Sequence, residues 1–222
     1  EAHQDLLAAD VVVVSDSSFP MYDVYARAMR GRLVKTPLRD YGLDLEAMAG
    51  AVTPRTKLIF VCNPNNPTGT IVTAAEVEAF MDAVPDDVLV VFDEAYYDFV
   101  DATDYPQTLR YVREGRTNVM VLRTCSKVYA LAGVRLGYAV ATRDVLAPLH
   151  KIREPFAASL LAQAAGVGAL ADAEFLQRSV AANAAGREYL AREFDRMGLF
   201  HVPSHTNFIL VRVGPEARDV AE

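Results

Sequence analysis

The chain alternates between short, uninterrupted apolar runs and stretches with helical spacing. Four apolar runs each end in polar or turn residues: VVVV (11–14), KLIFVC (57–62), VLVVF (88–92) and VMVLR (119–123). Runs of this length without polar alternation are typical of strands buried on both faces of a parallel sheet. Because helical patterns separate them, the sequence predicts an α/β fold with a mostly parallel sheet.

One of the intervening helices is well marked in the sequence. Residues 73–84 place Val77, Phe80, Met81 and Val84 on one helical face. Thr73 precedes Glu76 by three residues, which is the spacing of a capping box. We therefore expect a helix that begins at Thr73.

The pattern changes after about residue 147. Residues 144–156 predict a helix broken at Pro155, and residues 206–213 (TNFILVRV) predict a strand. We expect a large domain over residues 1–147, followed by connecting helices and the start of a smaller α+β domain over residues 148–222.

A long helix is predicted between these two segments. It runs from Glu174 to Met197 and is closed by Gly198. Its spacing predicts one apolar stripe, formed by Leu176, Val180, Leu190, Phe194 and Met197.

Helical patterns also stand at both ends of the chain. Leu6 and Leu7 lie in one such pattern, and PEARDVAE (215–222) resembles the start of another. We therefore expect the chain to be a fragment truncated at both ends.

Composition and charge narrow the class of protein. Of 222 residues, 52% are hydrophobic and 23% are charged, and the formal net charge of −7 argues against a nucleic-acid surface. No apolar run approaches the roughly 20 residues that span a bilayer. Residues 1–10 lack the features of a signal peptide. We expect a cytoplasmic protein that binds neither nucleic acid nor membrane.

No metal site or disulfide framework is expected. Cys62 and Cys125 fit no zinc motif, and two cysteines make no framework of disulfides. His201 and His205 have the spacing of two ligands on a helix, but Pro203 between them favours a surface loop.

The candidate chemistry follows the four apolar runs. In an open parallel sheet, ligands bind beyond the carboxyl ends of the strands. The runs are followed in turn by SDSSFPMY, NPNNPTG, DEAYY and TCSK. We therefore expect aromatic, amide, carboxylate, phenol, hydroxyl and amine groups to meet on one rim.

That set of groups matches pyridoxal 5′-phosphate. A lysine can form a Schiff base with its aldehyde, and an aspartate can keep its pyridine nitrogen protonated. Tyrosine and asparagine can hydrogen-bond its ring oxygen, and an aromatic ring can stack on its face. Thr124, Ser126 and Arg135 can hold its phosphate. Lys127 would then carry the aldehyde.

Each residue alone has a simpler interpretation. Lys127 could be a surface lysine. Asp93 could be a helix N-cap or a metal ligand, and Arg135 could belong to a structural ion pair. The NPNNPTG segment could be a plain turn, and the aromatic residues could be core. The ordered combination at four strand ends is what favours the cofactor site.

The motifs resemble one known family. CNPNNPTG (62–69), DEAYYDF (93–99), RTCSKVYALAGVRLGYAV (123–140) and SFPMY (18–22) occur in the order found in class I/II, fold-type I PLP-dependent aminotransferases. Within that family they are most similar to the histidinol-phosphate aminotransferase subgroup. The resemblance continues through SHTNFILV (204–211) and implies a three-layer, fold-type I large domain.

The resemblance also implies a role for each site residue. Lys127 becomes the catalytic lysine that binds the cofactor and then moves a proton between the substrate Cα and the cofactor C4′. The cofactor-binding residues would be Phe19 on the ring face, Asp93 at the pyridine nitrogen, Tyr96 and Asn66 at the ring oxygen, and Thr124, Ser126 and Arg135 at the phosphate.

The function implied is transfer of an amino group from L-histidinol phosphate to 2-oxoglutarate, in histidine biosynthesis, by a homodimer. Three alternatives stay open: an aromatic-amino-acid aminotransferase, a threonine-phosphate decarboxylase and a non-catalytic aminotransferase-like module. A truncated chain could also be inactive.

Three positions depart from the family pattern. Cys125 stands where relatives have an aromatic residue, and Ala130 stands where they have glycine; both suggest changes in packing. PFAASLLAQ (155–163) stands where relatives have a more polar segment near the substrate end of the pocket.

Overall fold

The computed structural model describes residues 11–215 and residue 217. The helical pattern at Leu6 and Leu7 lies outside the described residues, as does most of the one predicted from Pro215 onward. Within the described part, the strands are β1 (Val11–Ser15), β2 (Arg32–Thr36), β3 (Leu38–Arg39), β4 (Gly42–Leu43), β5 (Thr56–Cys62), β6 (Leu89–Asp93), β7 (Val119–Thr124) and β8 (Gly137–Ala141).

Helices alternate with these strands. They are α1 (Met21–Ala28), α2 (Leu45–Gly50), α3 (Ala74–Ala83), α4 (Leu109–Arg113), α5 (Arg143–Ile152), α6 (Leu160–Ala171) and α7 (Ala173–Arg196). Short 3₁₀ turns at Tyr97–Phe99 and Ala132–Val134 follow β6 and β7. None of the helices in the described part is long and apolar enough to cross a membrane.

The main sheet has six strands in the order β2-β1-β5-β6-β7-β8, while β3 and β4 form a separate hairpin. Neighbouring strands are parallel except β7 and β8, which are antiparallel. The four apolar runs are the four inner strands, which confirms the predicted α/β fold. The edge strands β2 and β8 were not predicted: charged residues break the apolar run in β2 (RLVKT), and β8 (GYAVA) is short, begins at glycine and is exposed over its first three residues.

The core lies between the inner strands and the helices that cover them. Val13, Ile59, Val61, Val90 and Val121 have no exposed surface and lie on one face of the sheet, while several residues of the opposite face are only half-buried. Burying one such side chain contributes about 1.5–3 kcal/mol. The inner strands therefore form a stable platform for the loops at their carboxyl ends.

Helix α3 begins as predicted. The Thr73 hydroxyl accepts a hydrogen bond from the Glu76 amide at 3.3 Å, and a Glu76 carboxylate oxygen accepts one from the Thr73 amide at 2.7 Å. This capping box satisfies two backbone N–H groups that the first helical turn leaves without partners. Val77, Phe80, Met81 and Val84 are buried.

The long helix is confirmed, but its predicted apolar stripe is only partly covered. Leu176 and Val180 of α7 pack against buried residues beyond β6 and β7. Leu190 is 44% exposed and Met197 is 52% exposed. Phe194 is half-buried, with its ring centre 5.8 Å from that of His201, so among the residues described the stripe is covered in part only.

The strand predicted over 206–213 is wrong. In the described part of this segment, the strand-like pairing is limited to a single antiparallel bridge between Val211 and His201. The Ser204 hydroxyl donates to the Phe208 carbonyl at 2.6 Å, and the Thr206 hydroxyl accepts from the Phe208 amide at 3.3 Å. These side chains occupy backbone groups that a strand would need for its ladder.

Candidate functional site

One cavity at the carboxyl ends of β5, β6 and β7 brings the predicted site residues together. Its volume is about 330 Å³. All eight predicted residues line it: Phe19, Asn66, Asp93, Tyr96, Thr124, Ser126, Lys127 and Arg135. The rest of the lining comes from Cys62, Ala95, Leu122, Arg123 and Ala132.

The register of the sheet explains why these residues meet. Cys62 at the end of β5 pairs with Asp93 at the end of β6, and Asp93 pairs with Leu122 of β7. The three strands therefore end at nearly the same level. Asn66 and Lys127 lie in the loops that leave β5 and β7, so both reach the same rim.

Asp93 is held from two sides. Its Oδ1 accepts a hydrogen bond from the Ala95 amide at 3.1 Å, and its Oδ2 accepts one from the Tyr22 hydroxyl at 2.6 Å. Burial raises the pKa of the Asp93 carboxyl, while the Tyr22 hydroxyl, the Ala95 amide and the Lys127 charge oppose that rise. The side chain is thus a half-buried carboxyl with fixed donors on both oxygens.

Tyr96 and Asn66 form a second polar pair in the cavity. The Asn66 side-chain amide donates to the Tyr96 hydroxyl at 3.1 Å. Burial is the main reason that the pKa of Tyr96 rises to about 12, with a further increase from Cys62. Tyr96 is therefore a phenol, and hence a hydrogen-bond donor, at neutral pH.

The loop between β5 and α3 is more than a plain turn. The Asn65 side chain donates to the Ser17 carbonyl at 3.0 Å and accepts from the Ser18 hydroxyl at 2.9 Å. These bonds fix the segment that carries Phe19 against the loop that carries Asn66. Two faces of the cavity are thereby joined.

Lys127 is half-buried in the loop after β7. Its ammonium nitrogen lies 5.3 Å from the centre of the Tyr96 ring. The preceding turn is fixed by the Ser126 amide, which donates to the Thr124 hydroxyl at 3.0 Å, and by the Cys125 amide, which donates to Leu136 at 3.0 Å. The amine is therefore held inside the cavity.

Arg135 lies at the open edge of the same loop. Its backbone is in the left-handed region, with φ +58°, and one guanidinium nitrogen donates to the Ala132 carbonyl at 2.7 Å. With Thr124 and Ser126, it places a cation and two hydroxyls beside one another. This combination suits an anion such as a phosphate.

Ala130 also has a left-handed backbone, with φ +56°. The expectation that this position reflects a packing change is therefore wrong. Ala130 is exposed, so the constraint that favours glycine here comes from the backbone angle.

Sequence reasoning missed two elements of the site. Tyr22 was noticed only within SFPMY, and its bond to Asp93 joins positions 71 residues apart. Arg123 and Glu94 form a buried ion pair at 2.7 Å beside the cavity. A charged residue at or next to the end of each of two buried strand runs was the available signal for that pair.

The two histidines do not share a site. His201 lies 3.7 Å from Asp195, and His205 lies 3.3 Å from Asp101. In the described part of the chain, no group of three or more histidine, cysteine, aspartate or glutamate side chains is arranged to hold a metal ion.

Comparison with known proteins places the chain among enzymes of one type. The family model described as aminotransferase class I and II matches residues 4–222. Histidinol-phosphate aminotransferase of Moorella thermoacetica is 50% identical over 211 residues, which are 95% of this chain and 55% of that protein. Histidinol-phosphate aminotransferase 2 of Ralstonia nicotianae is 49% identical over 206 residues, 93% of this chain and 55% of that protein.

Solved structures agree with this result. The histidinol-phosphate aminotransferase of Sinorhizobium meliloti, in complex with pyridoxal-5′-phosphate, matches with a TM-score of 0.89 and 33% identity. The match covers 97% of this chain and 60% of that one. The chain spans about half the length of the curated relatives it matches.

Proposed function

We infer the function from one premise: this chain belongs to the class I and II aminotransferases. We propose that the full-length protein transfers the amino group of L-histidinol phosphate to 2-oxoglutarate, with pyridoxal 5′-phosphate as cofactor, in histidine biosynthesis. The observation that carries the proposal is the single cavity lined by an amine, a carboxylate, a phenol, an amide, an aromatic ring and an anion-binding group.

The eight predicted residues that line the cavity supply a contact for each part of the cofactor. Asp93 would hold the proton on the pyridine nitrogen, and Tyr96 and Asn66 would donate hydrogen bonds to the ring oxygen. Phe19 would cover one face of the ring. Thr124, Ser126 and Arg135 would bind the phosphate. When bound, the cofactor supplies the electron sink that the protein side chains lack.

Lys127 would do the proton transfer. Its amine would hold the cofactor through the aldehyde, and Lys127 Nζ would be the base that takes the proton from the substrate Cα. Tyr96 lies under the ammonium group, so the ring would guide the lysine along the cavity wall.

The choice of amino donor rests on the relatives. Proteins named histidinol-phosphate aminotransferase are 50% and 49% identical over almost the whole chain. The L-threonine-O-3-phosphate decarboxylase of Porphyromonas gingivalis, at 24% identity, supports the shared fold alone. An aromatic amino acid is the competing donor, and the acceptor 2-oxoglutarate is proposed with the donor.

The domain arrangement, the cellular compartment and the oligomeric state are proposed from the similarity to the same relatives. We propose that residues 1–147 form the cofactor-binding domain, that residues 148–222 begin a smaller domain, and that the protein is a cytoplasmic homodimer.

A labelling experiment tests the cofactor assignment. The full-length protein would be mixed with pyridoxal 5′-phosphate, reduced with borohydride and digested for peptide mapping. The label should fall on Lys127 and should be lost in Lys127→Ala, but not in the matched control Lys151→Ala, whose side chain is exposed on α5. Labelling scattered over surface lysines would refute the assignment.

A second experiment tests the donor. The amino-donor half-reaction of the full-length protein should be faster with L-histidinol phosphate than with phenylalanine. A clear preference for phenylalanine would overturn the proposed donor and leave the aminotransferase activity in place.

A further inference from the structure

We propose that Tyr22 is a positioning residue for Asp93: the Tyr22 hydroxyl fixes the orientation of the Asp93 carboxylate. The proposal rests on the proposed function, because Asp93 is the group that would bind the ring nitrogen of the cofactor. Tyr22 itself does not line the cavity. It acts through the carboxylate.

The hydrogen bond is short and comes from another element. The Tyr22 hydroxyl on α1 lies 2.6 Å from Asp93 Oδ2, while Asp93 Oδ1 is bound by the Ala95 amide. The Ala95 bond is local and would form in any chain that turns after β6. The Tyr22 bond is the one that defines the carboxylate plane from outside its own strand.

The phenol ring of Tyr22 is packed on two sides. It stacks on Phe60 of β5 with the ring centres 4.4 Å apart and the planes at 9°. It meets Phe19 edge-on at 5.6 Å and 77°. Only 6% of Tyr22 is exposed, so its hydroxyl has little access to water as an alternative partner. The donor is therefore held in place before any ligand arrives.

Tyr22 links two functions of the site. It contacts Phe19, which would cover the ring face, and it binds Asp93, which would bind the ring edge. A movement of α1 would displace both groups together. The Tyr22 side chain thus contacts both the Phe19 ring and the Asp93 carboxylate and holds the two relative to each other.

The charge state of Asp93 follows from its surroundings. Burial raises the pKa of its carboxyl, and the Tyr22 hydrogen bond is the strongest of the contacts that lower it. Loss of that donor should therefore raise the pKa further and favour the neutral acid. The titratable groups that face Asp93 from the packed elements are Tyr22, Cys62, Glu94, Tyr96 and Lys127.

The test compares Tyr22→Phe with Tyr25→Phe in the full-length protein. Phenylalanine keeps the ring that stacks on Phe60 and removes only the hydroxyl. Tyr25 lies on the same helix and is 64% exposed, so its variant controls for a general effect of losing a phenol. Asp93→Asn serves as the reference for cofactor binding by a protein in which residue 93 cannot ionise.

Two measurements are made. The first, on the parent, Tyr22→Phe and Tyr25→Phe, is a carbon NMR titration of the Asp93 carboxyl without cofactor; Asp93→Asn enters only the second. The second is the nitrogen NMR shift of isotope-labelled pyridoxal 5′-phosphate on the protein, with the dissociation constant from absorbance. In Tyr22→Phe we expect a higher Asp93 pKa, a nitrogen shift towards neutral pyridine and binding weaker by about tenfold, because a hydrogen bond to a charged group is lost.

Each outcome decides one question. If Tyr22→Phe matches the parent in both measurements, the positioning role is overturned while the proposed function stands. If the parent itself binds no cofactor, the proposed function fails, and the cofactor-free titration still decides the role of Tyr22. Equal changes in Tyr22→Phe and Tyr25→Phe would also overturn the inference.

Discussion

The Arg123 guanidinium forms an ion pair with the Glu94 carboxylate beside the cavity. Its Nε and one Nη donate to the same carboxylate oxygen, Oε2, at 2.9 and 2.7 Å, while the Thr108 hydroxyl binds Oε1. The Glu94 side chain has no exposed surface, and the guanidinium stacks 3.6 Å from the centre of the Tyr97 ring. The pair joins the ends of β6 and β7, the two strands that lead to Asp93 and Lys127.

Replacing Glu94 with glutamine should destabilise the fold strongly. The change removes the hydrogen-bonded counter-charge of the mostly buried Arg123 guanidinium, and breaking such a pair typically costs about 3 kcal/mol or more. Denaturant unfolding of Glu94→Gln measures this loss. The matched control is Glu78→Gln, since Glu78 is 61% exposed in its pair with Arg110 and should contribute less than about 1 kcal/mol. Similar losses in the two variants would contradict the prediction.

Gly69→Ala should disturb the loop that carries Asn66. Gly69 has φ +77°, and a Cβ there would overlap the Ser204 hydroxyl and lie 2.8 Å from Ser204 Cβ. Strain and overlap together should cost about 3 kcal/mol in the free energy of unfolding.

Gly115 allows the cost of backbone strain to be measured apart from the cost of steric overlap with Ser204. Gly115 has φ +83° with open space around it, so Gly115→Ala should cost only about 1 kcal/mol. Thermal or denaturant unfolding of both variants gives the comparison. A loss at Gly115 equal to that at Gly69 would mean that contact with Ser204 contributes nothing.

Ala130→Gly should stabilise the protein. The φ of +56° strains alanine, and glycine adopts it freely, so a gain of about 0.5–1 kcal/mol is expected. Ala75→Gly, on the exposed side of α3, should have the opposite sign and cost about 1 kcal/mol. A loss of stability in Ala130→Gly would show that the methyl group packs favourably in solution.

The raised pKa of Tyr96 should make the free energy of unfolding decrease at alkaline pH. Burial raises the pKa of Tyr96 from 10.0 to about 12. The folded state therefore keeps a proton that the unfolded chain releases. The stability from this group is complete below about pH 10 and is lost as the pH rises towards about 12.

The check is unfolding of the parent and of Tyr96→Phe at about pH 9 and about pH 11. The parent should lose more unfolding free energy between the two pH values, because phenylalanine does not titrate. Equal losses in parent and variant would contradict the assignment of a raised pKa to Tyr96.

The cavity could be predicted from the sequence because it depends on few rules. Unbroken apolar runs indicate parallel strands, and parallel strands place their carboxyl ends at one edge. Asp93 and Lys127 each follow such a run closely, so their meeting required no knowledge of side-chain packing. The capping box at Thr73 was equally local.

The features that were missed depend on contacts between distant segments. The bond between Tyr22 and Asp93 joins positions 71 residues apart, and no local pattern in the sequence encodes it. The strand predicted over 206–213 failed because Ser204 and Thr206 compete for backbone groups. The exposed half of α7 has apolar spacing, but spacing alone does not show what covers a helix.

The site is assembled from loops that are far apart along the chain. Phe19, Asn66, Asp93 and Lys127 follow four different strands, and no short peptide contains more than one of them. A ligand that contacts all four recognises only the completed sheet, so by mass action its binding energy adds to the folding equilibrium. Such long sequence separations also slow folding, because the loops must close before their contacts form. Ligand binding would therefore report the last stage of folding.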